Sequence, residues 1–201
     1  MSTSTTATST AAVQTPNGSR SLSAAFSVGA VLAILGSLGF IYMNSYPPRE
    51  AYAHPVNIVA CVLAAIGCLV LSFALMRWRT ALPGLAVVSS AAGVFFAAAS
   101  AYDQGTAFVA VATKTDDALF EELFFGDLWV LGGMLPKVLL CLVGFLTLAI
   151  VGWRRRSIPR VAAVILAVAA IVSIWPPFPP GIILASIAFF IISRGPVEAR
   201  S

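Results

Sequence analysis

Four long segments with almost no charge constrain the fold of this 201-residue chain more than any other feature. They cover about residues 23–42, 55–76, 82–102 and 128–153, and only the last contains a charged residue, Lys137. A helix rises 1.5 Å per residue, so about 20 apolar residues cross the roughly 30 Å hydrocarbon core of a bilayer. The composition agrees, with 59% hydrophobic and 10% charged residues against about 45–50% and about 25% in soluble domains. The sequence therefore predicts an all-α fold, a polytopic integral membrane helical bundle with four full spans.

The apolar stretch near the C-terminus, residues 161–192, is long enough for more than one crossing but is interrupted by four prolines between positions 176 and 180. Proline removes a helix hydrogen-bond donor and restricts the residue before it, so no straight helix passes through this region. We interpret the halves, about 160–175 and 181–194, as a Pro-broken helical hairpin, which gives about six membrane segments in all. One kinked helix is the alternative.

Arginine lies almost entirely on one side of the predicted spans. Short cytoplasmic loops are enriched in Lys and Arg, and with a cytoplasmic N-terminus only Arg49 and Lys114 fall on the outer side. The inner side then holds nine arginines: Arg20, Arg77, Arg79, Arg154, Arg155, Arg156, Arg160, Arg194 and Arg200. We therefore predict a multi-pass protein of the cell membrane, in contact with the lipid bilayer, whose N- and C-termini are both cytoplasmic.

The two ends of the chain are predicted to be tails. Residues 1–22 are rich in Ser and Thr and cannot bury enough apolar surface to fold, so we expect a disordered cytoplasmic tail there and a second tail over 195–201. The membrane bundle then occupies residues 23–194. A cleaved signal peptide ending at the A-x-A sequence of residues 51–53 is the competing interpretation, and the long polar leader and overlong apolar core argue against it.

Small residues recur every four positions on three of the predicted spans. Inside a bilayer, helices associate by close packing, and small residues let two backbones approach. These stripes predict either packing within the chain or a face for self-association or for a membrane protein partner. The stripes are Ser21, Ala25, Gly29, Ala33 and Ser37; Ala60, Ala64, Cys68 and Ser72; and Ser89, Gly93, Ala97 and Ala101.

Lys137 is a candidate functional residue because a charge deep in a membrane is costly and usually marks a pathway or a partner. Counted from position 128 it lies near the middle of the fourth span. Pro136, however, is favoured in the first turn of a helix, and a helix starting there would place Lys137 at the outer interface, with its amine reaching headgroups. Three interpretations stay open: an interfacial lysine, a buried structural ion pair, and a transport or substrate-binding lysine.

The outer loop over residues 103–127 is strongly acidic, holding six of the eight acidic residues and one base. Thr115 is predicted to cap a short amphipathic helix that lies on the membrane surface and ends at Gly126. Its acidic face is formed by Asp117, Glu121 and Glu122. That face is a solvated surface, a partner for Lys137 or a basic protein, or a cation site. The opposite, apolar face comprises Leu119, Phe120, Leu123 and Phe124.

Nothing in the sequence matches a catalytic or cofactor-binding motif. His54 is the single histidine and is expected to be exposed, and the three cysteines lie inside apolar runs, where they are small hydrophobic residues rather than a disulfide framework. There is no zinc-helix motif, no phosphate-binding loop and no basic soluble face for nucleic acid. We therefore expect no enzyme activity, no cofactor and no nucleic-acid partner.

The function predicted on these grounds is that of a non-enzymatic membrane protein for assembly, envelope organisation or support of a partner. The alternative is a small transporter or permease subunit that uses Lys137 and the broken helices, since interrupted helices often line binding sites. A membrane enzyme that uses carboxylates of the outer loop ranks third, because no second catalytic group is visible.

Overall fold

A computed structural model describes residues 16–78, 84–125, 132, 134–174 and 179–194, and within these ranges the regular structure is helical, with no strand. The helices that it describes are α1 (Pro16–Met43), α2 (Pro48–Ala53), α3 (Pro55–Arg77), α4 (Gly84–Gly105), α5 (Ala107–Lys114), α6 (Asp117–Phe125), α7 (Leu135–Arg155), α8 (Arg160–Val172) and α9 (Pro179–Arg194).

Four of these helical stretches are long and apolar enough to cross a membrane, which confirms the predicted fold class. They are Arg20–Met43, Pro55–Arg77, Gly84–Lys114 and Leu135–Arg155. Each leaves large apolar side chains exposed on one side and buries small and apolar ones on the other. This distribution suits a bundle whose surroundings are also apolar, because the outward face then needs no polar residues.

The six long or apolar helices form a closed ring, in which α1 packs on α3, α3 on α4, α4 on α7, α7 on α8, α8 on α9, and α9 back on α1. Successive helices in the ring run antiparallel. The centre is filled by fully buried side chains, among them Leu75, Phe145, Leu166 and Phe189. The ring brings the two ends of the described chain together: Ser23 Oγ on α1 donates to the Ser193 carbonyl of α9 at 2.7 Å.

The C-terminal region is a hairpin of two short helices, as predicted, rather than one kinked helix. α8 and α9 have 13 and 16 residues, about 20 and 24 Å at the helical rise, and they pack against each other. A Cβ atom at Gly181 would lie 2.3 Å from Ser173 Oγ, so the start of α9 directly contacts the end of α8. Pro176 and Pro177 lie outside the described residues.

Charge is segregated between the two ends of the bundle. Contacts of Phe26 with Trp78 and of Ser23 with Ser193 show that the start of α1 meets the ends of α3 and α9. We call this the arginine end, because it carries seven arginines of the described ranges: Arg20, Arg77, Arg154, Arg155, Arg156, Arg160 and Arg194. The opposite, acidic end carries the acidic residues of those ranges: Glu50, Asp103, Asp116, Asp117, Glu121 and Glu122.

The predicted small-residue stripes lie in contacts within the chain. A Cβ atom at Gly29 would lie 3.0 Å from the Gly67 carbonyl oxygen of α3, and one at Gly93 would lie 2.8 Å from the Cys141 backbone nitrogen of α7. Closer approaches of α1 to α3 occur at Gly36 and Gly67, where a Cβ atom would lie 2.3 Å from the backbone nitrogens of Ala64 and Ala33, respectively. Whether any face also serves self-association stays a prediction.

Two helix bounds differ from those expected from the sequence. α1 begins at Pro16, so residues 16–22 are helical rather than part of a disordered tail; Pro suits the first helical turn, and Leu22 packs against the core. Within the segment 103–127 the structure has two short helices, α5 and α6, where the sequence predicted one amphipathic helix; the additional helix, α5, packs its apolar residues on α2. Residues 1–15 and 195–201, and the predicted helix end at Gly126, lie outside the described residues.

Candidate functional site

Three short helices, α2, α5 and α6, form a cap over the acidic end of the bundle. The cap is tied to the spans because α2 precedes α3 directly and α5 follows α4 after one turn residue, Thr106. Thr106 Oγ1 donates to the Tyr102 carbonyl at 2.8 Å and so satisfies an acceptor left free where α4 ends. Among the described residues, the cap contains the one ion pair, and its polar contacts join residues 60 to 70 positions apart.

Arg49 of α2 clamps the other two cap helices. Its Nε donates to the Ala112 carbonyl of α5 at 2.9 Å, and one Nη donates to the carbonyl of Thr115. The other Nη forms an ion pair with Asp117 of α6, with 2.5 Å between Nη1 and Oδ1. The planar guanidinium presents several donors in a fixed fork, so a single side chain satisfies the end of α5 and the start of α6 together.

An aromatic cluster lies beneath the clamp. The ring of Tyr52 on α2 is buried between Phe40 of α1, Phe108 of α5 and Phe120 of α6, with centroid distances of 6.3, 5.6 and 6.3 Å. Aromatic pairs at such separations add stability beyond the area they bury. Burial raises the pKa of the Tyr52 phenol above its usual range, which keeps the cluster neutral. The polar contacts of Arg49 and the aromatic contacts of Tyr52 therefore both hold α2, α5 and α6 together.

A buried amide adjoins this cluster at the start of α3. Asn57 is almost completely buried, and its Oδ1 accepts a contact from Cys61 Sγ at 3.6 Å. Its Nδ2 has no hydrogen-bond partner among the described residues. Near it, Ser37, Phe40, Cys61 and other residues line a cavity of about 10 Å³, roughly the volume that one water molecule requires.

The predicted acidic residues Asp117, Glu121 and Glu122 lie on α6, but the helix begins differently from the prediction. Asp116 Oδ1 accepts from the Leu119 backbone N–H at 2.9 Å, so Asp116 is the N-terminal capping residue. Thr115, which was predicted to have that role, instead donates its hydroxyl to the Val111 carbonyl at 2.7 Å and closes α5. A carboxylate is the better choice at this position because it also complements the positive end of the helix dipole.

The three predicted acidic residues have different surroundings. Asp117 pairs with Arg49 although its side chain is 84% exposed. Glu121 and Glu122 are exposed on the surface of α6, and within the described ranges neither forms an ion pair. No group of three His, Cys, Asp or Glu side chains converges in that part of the chain, so the cation-site hypothesis gains no support from it.

The apolar face of α6 is only partly used within the chain. Phe120 is buried against Tyr52, whereas Leu119 and Leu123 are 42% and 47% exposed. The two leucines are therefore available to a membrane surface or to another protein.

Lys137 has the position in the helix that the interfacial interpretation predicts and the burial that the ion-pair interpretation predicts. The α-helical part of α7 begins at Leu135 with Pro136 in its first turn, so Lys137 lies in the first turn of α7, at the acidic end of the bundle. Its side chain is nevertheless only 3% exposed, which is inconsistent with an amine that reaches lipid headgroups. The contact of Gly93 with Cys141 sets the register of α4 against α7 and places Lys137, one turn earlier, opposite the half of α4 that is nearer the acidic end.

His54 is exposed, as predicted, and has a local structural role. Its Nδ1 accepts from the Val56 backbone N–H at 3.2 Å, which caps α3, and its ring stacks on Tyr46. The three cysteines are buried and free.

The sequence did not identify Arg49 and Tyr52 as central residues of this site. Arg49 and Lys114 are the two bases that the sequence places on the same side of the spans as the acidic segment. That charge pattern was the available signal for the pairing of Arg49 with Asp117. No comparable signal pointed to Tyr52, which has the pattern of an ordinary interfacial aromatic residue. No family model, curated protein or solved structure matches the chain.

Proposed function

We propose that this chain is a non-enzymatic, multi-pass protein of the cell membrane that binds and supports a membrane protein partner through its cap. The observation that carries the proposal is the Arg49 clamp, which fixes α6 on the end of the bundle with Glu121 and Glu122 exposed. A preorganised surface binds a partner at lower entropic cost than a mobile loop. The partner would carry Lys or Arg residues just outside the membrane.

Charge segregation supports the orientation that this proposal needs. The arginine end matches the enrichment of basic residues in cytoplasmic loops, so the cap would face the outside and both chain ends the cytoplasm. Attraction between an acidic cap and a basic segment would weaken with added salt, because exposed charges are screened over about 8–10 Å at physiological ionic strength.

Carboxylate–amine coupling in native membranes tests the proposal. We expect the cap to become covalently cross-linked to a neighbouring protein. The yield of this cross-linked product should fall strongly in a Glu121→Gln, Glu122→Gln double variant. Glu50→Gln is the matched control, since Glu50 is an exposed carboxylate of the same cap on α2. Equal capture by the double variant and the control, or no captured protein in any of them, would contradict the proposal.

A transporter or permease subunit is the second candidate, and the burial of Lys137 in a span-like helix favours it. An ionisable residue in such a helix often marks a substrate pathway, and an ammonium group would select an anionic substrate. Lys137→Met should then abolish the uptake of labelled organic anions into reconstituted vesicles, while Lys137→Arg keeps part of it. Uptake that is unchanged in Lys137→Met, with an unchanged melting temperature, would eliminate this candidate.

A further inference from the structure

The turn between α7 and α8, at the arginine end, contains an open pocket of about 380 Å³. Its lining consists of Trp153, Arg154, Arg156, Ile158 and Arg160. The Arg160 guanidinium lies 5.7 Å from the centroid of the Trp153 ring, a distance at which a cation and an aromatic face attract each other. Three cationic side chains therefore surround one concave surface.

Arg156 occupies a backbone conformation that normally belongs to glycine. Its φ is 54°, the one positive value among the non-glycine residues that the structure describes. Its N–H donates to the Trp153 carbonyl at 3.2 Å, and the Ser157 N–H donates to the Gly152 carbonyl at 3.1 Å, which is the helix-ending motif that favours Gly in the left-handed position. Strained residues of this kind cluster at ligand-binding sites. With arginine at this position, a third guanidinium group lines the pocket.

The described residues give the pocket an excess of positive charge. In the described ranges the ion pair Arg49–Asp117 lies at the acidic end, and the arginine end holds no carboxylate. The pocket is closed on one side by the start of α8, whose N-cap Pro159 makes no side-chain capping hydrogen bond. The first backbone N–H groups of α8 therefore add a positive partial charge to the same region.

We propose that this pocket binds a phosphate group, held by Arg154, Arg156 and Arg160 and flanked by Trp153. Guanidinium forks match phosphate oxygens in geometry and charge. Two sources carry this chemistry: the headgroup of an anionic phospholipid, which Trp153 would accompany at the interface, and a soluble phosphate ion. The chemistry of the pocket is the same for both, so the experiment has an arm for each.

Binding is measured on the full-length protein in neutral detergent by native mass spectrometry. The probes are dioctanoyl phosphatidylglycerol, dioctanoyl phosphatidylcholine as the zwitterionic comparison, and inorganic phosphate. We expect Arg154→Gln, Arg156→Gly and Arg160→Gln each to weaken binding about five-fold, the effect of one arginine near an anionic lipid surface. Arg155→Gln is the matched control, because Arg155 is exposed in the same turn and does not line the pocket.

Arg156→Gly separates binding from folding. Glycine adopts a positive φ without strain, so this variant should melt no lower than the wild-type protein and still lose affinity. Binding of phosphatidylglycerol that inorganic phosphate does not displace identifies a lipid site, and displacement identifies a general phosphate site; both support the proposal. Unchanged binding by Arg156→Gly, an equal loss in Arg155→Gln, or binding of neither anionic probe overturns it.

Discussion

At the scale of single residues, Arg49 has the most consequential set of contacts in the molecule. One guanidinium joins α2 to the end of α5 and to the start of α6, through two carbonyl oxygens and one carboxylate. A lysine could reach one of these acceptors but not three, since its donors radiate from a single nitrogen. The arrangement of the cap, and with it the presentation of Glu121 and Glu122, depends on this side chain.

Replacing Arg49 with glutamine should loosen the cap without unfolding the bundle. Hydrogen bonds from a charged donor contribute about 1.5–3 kcal/mol each, and partial exposure of Arg49 and Asp117 reduces this. We expect a local loss of about 1–2 kcal/mol, which corresponds to roughly 5- to 30-fold faster amide hydrogen exchange in α5 and α6. Arg49→Lys should restore part of the protection. Exchange as slow in Arg49→Gln as in the Glu50→Gln control would show that the clamp does not hold the cap.

Individual residues also show the limit of prediction from sequence. Lys137 and the acidic residues of α6 stand out by their charge and were predicted as candidates. The role of Arg49 was not, because two of its three acceptors are backbone carbonyls 63 and 66 positions away, and a carbonyl carries no sequence signal. The burial of Lys137 likewise depends on how α4 and α7 pack.

At the scale of helices, backbone contact between glycines and small residues determines the arrangement. α1 meets α3 at Gly36, and α4 meets α7 where a Cβ atom at Gly144 would lie 2.6 Å from the Ser90 Cα. Such contacts replace the hydrophobic driving force that is absent between helices in lipid. The spacing of small residues predicted that α1, α3 and α4 pack closely, but not the equally close approaches at Gly36 and Gly67, which lie outside the predicted stripes.

Adding a methyl group at Gly36 should therefore destabilise the bundle. In Gly36→Ala the new Cβ would meet the backbone of Ala64, which cannot rotate away, so α1 and α3 must separate at a cost of about 1–3 kcal/mol. Gly84→Ala is the control, because nothing lies within 4 Å of a Cβ atom there. Thermal unfolding in detergent should show a lower melting temperature for Gly36→Ala alone; equal melting temperatures would remove close packing from the account.

Helix boundaries were predicted well where the apolar run decides them and poorly where tertiary contact does. The start of α3 at Pro55 and of α8 at Arg160 follow from the sequence. α5 was missed because its eight residues are too few for a span and become helical by packing Phe108 and Ala112 against α2.

At the scale of the whole molecule, the separation of charge is the feature that connects structure to orientation. Within the described ranges seven of the eight arginines gather at one end of the ring and the carboxylates at the other, because every element of the ring runs antiparallel to the next. The sequence alone predicted this side-to-side asymmetry. It could not predict that α9 returns to α1 and closes the ring, since this depends on contacts between residues 166 to 170 positions apart.

Labelling with a membrane-impermeant maleimide tests the orientation most directly. The variants are Glu122→Cys on the cap and Ser157→Cys at the arginine end, both at exposed positions, in a background whose three buried cysteines are replaced by alanine. In intact spheroplasts, Glu122→Cys should be labelled at once and Ser157→Cys only after the membrane is permeabilised. Labelling of Ser157→Cys in intact spheroplasts, or protection of Glu122→Cys, would contradict the account.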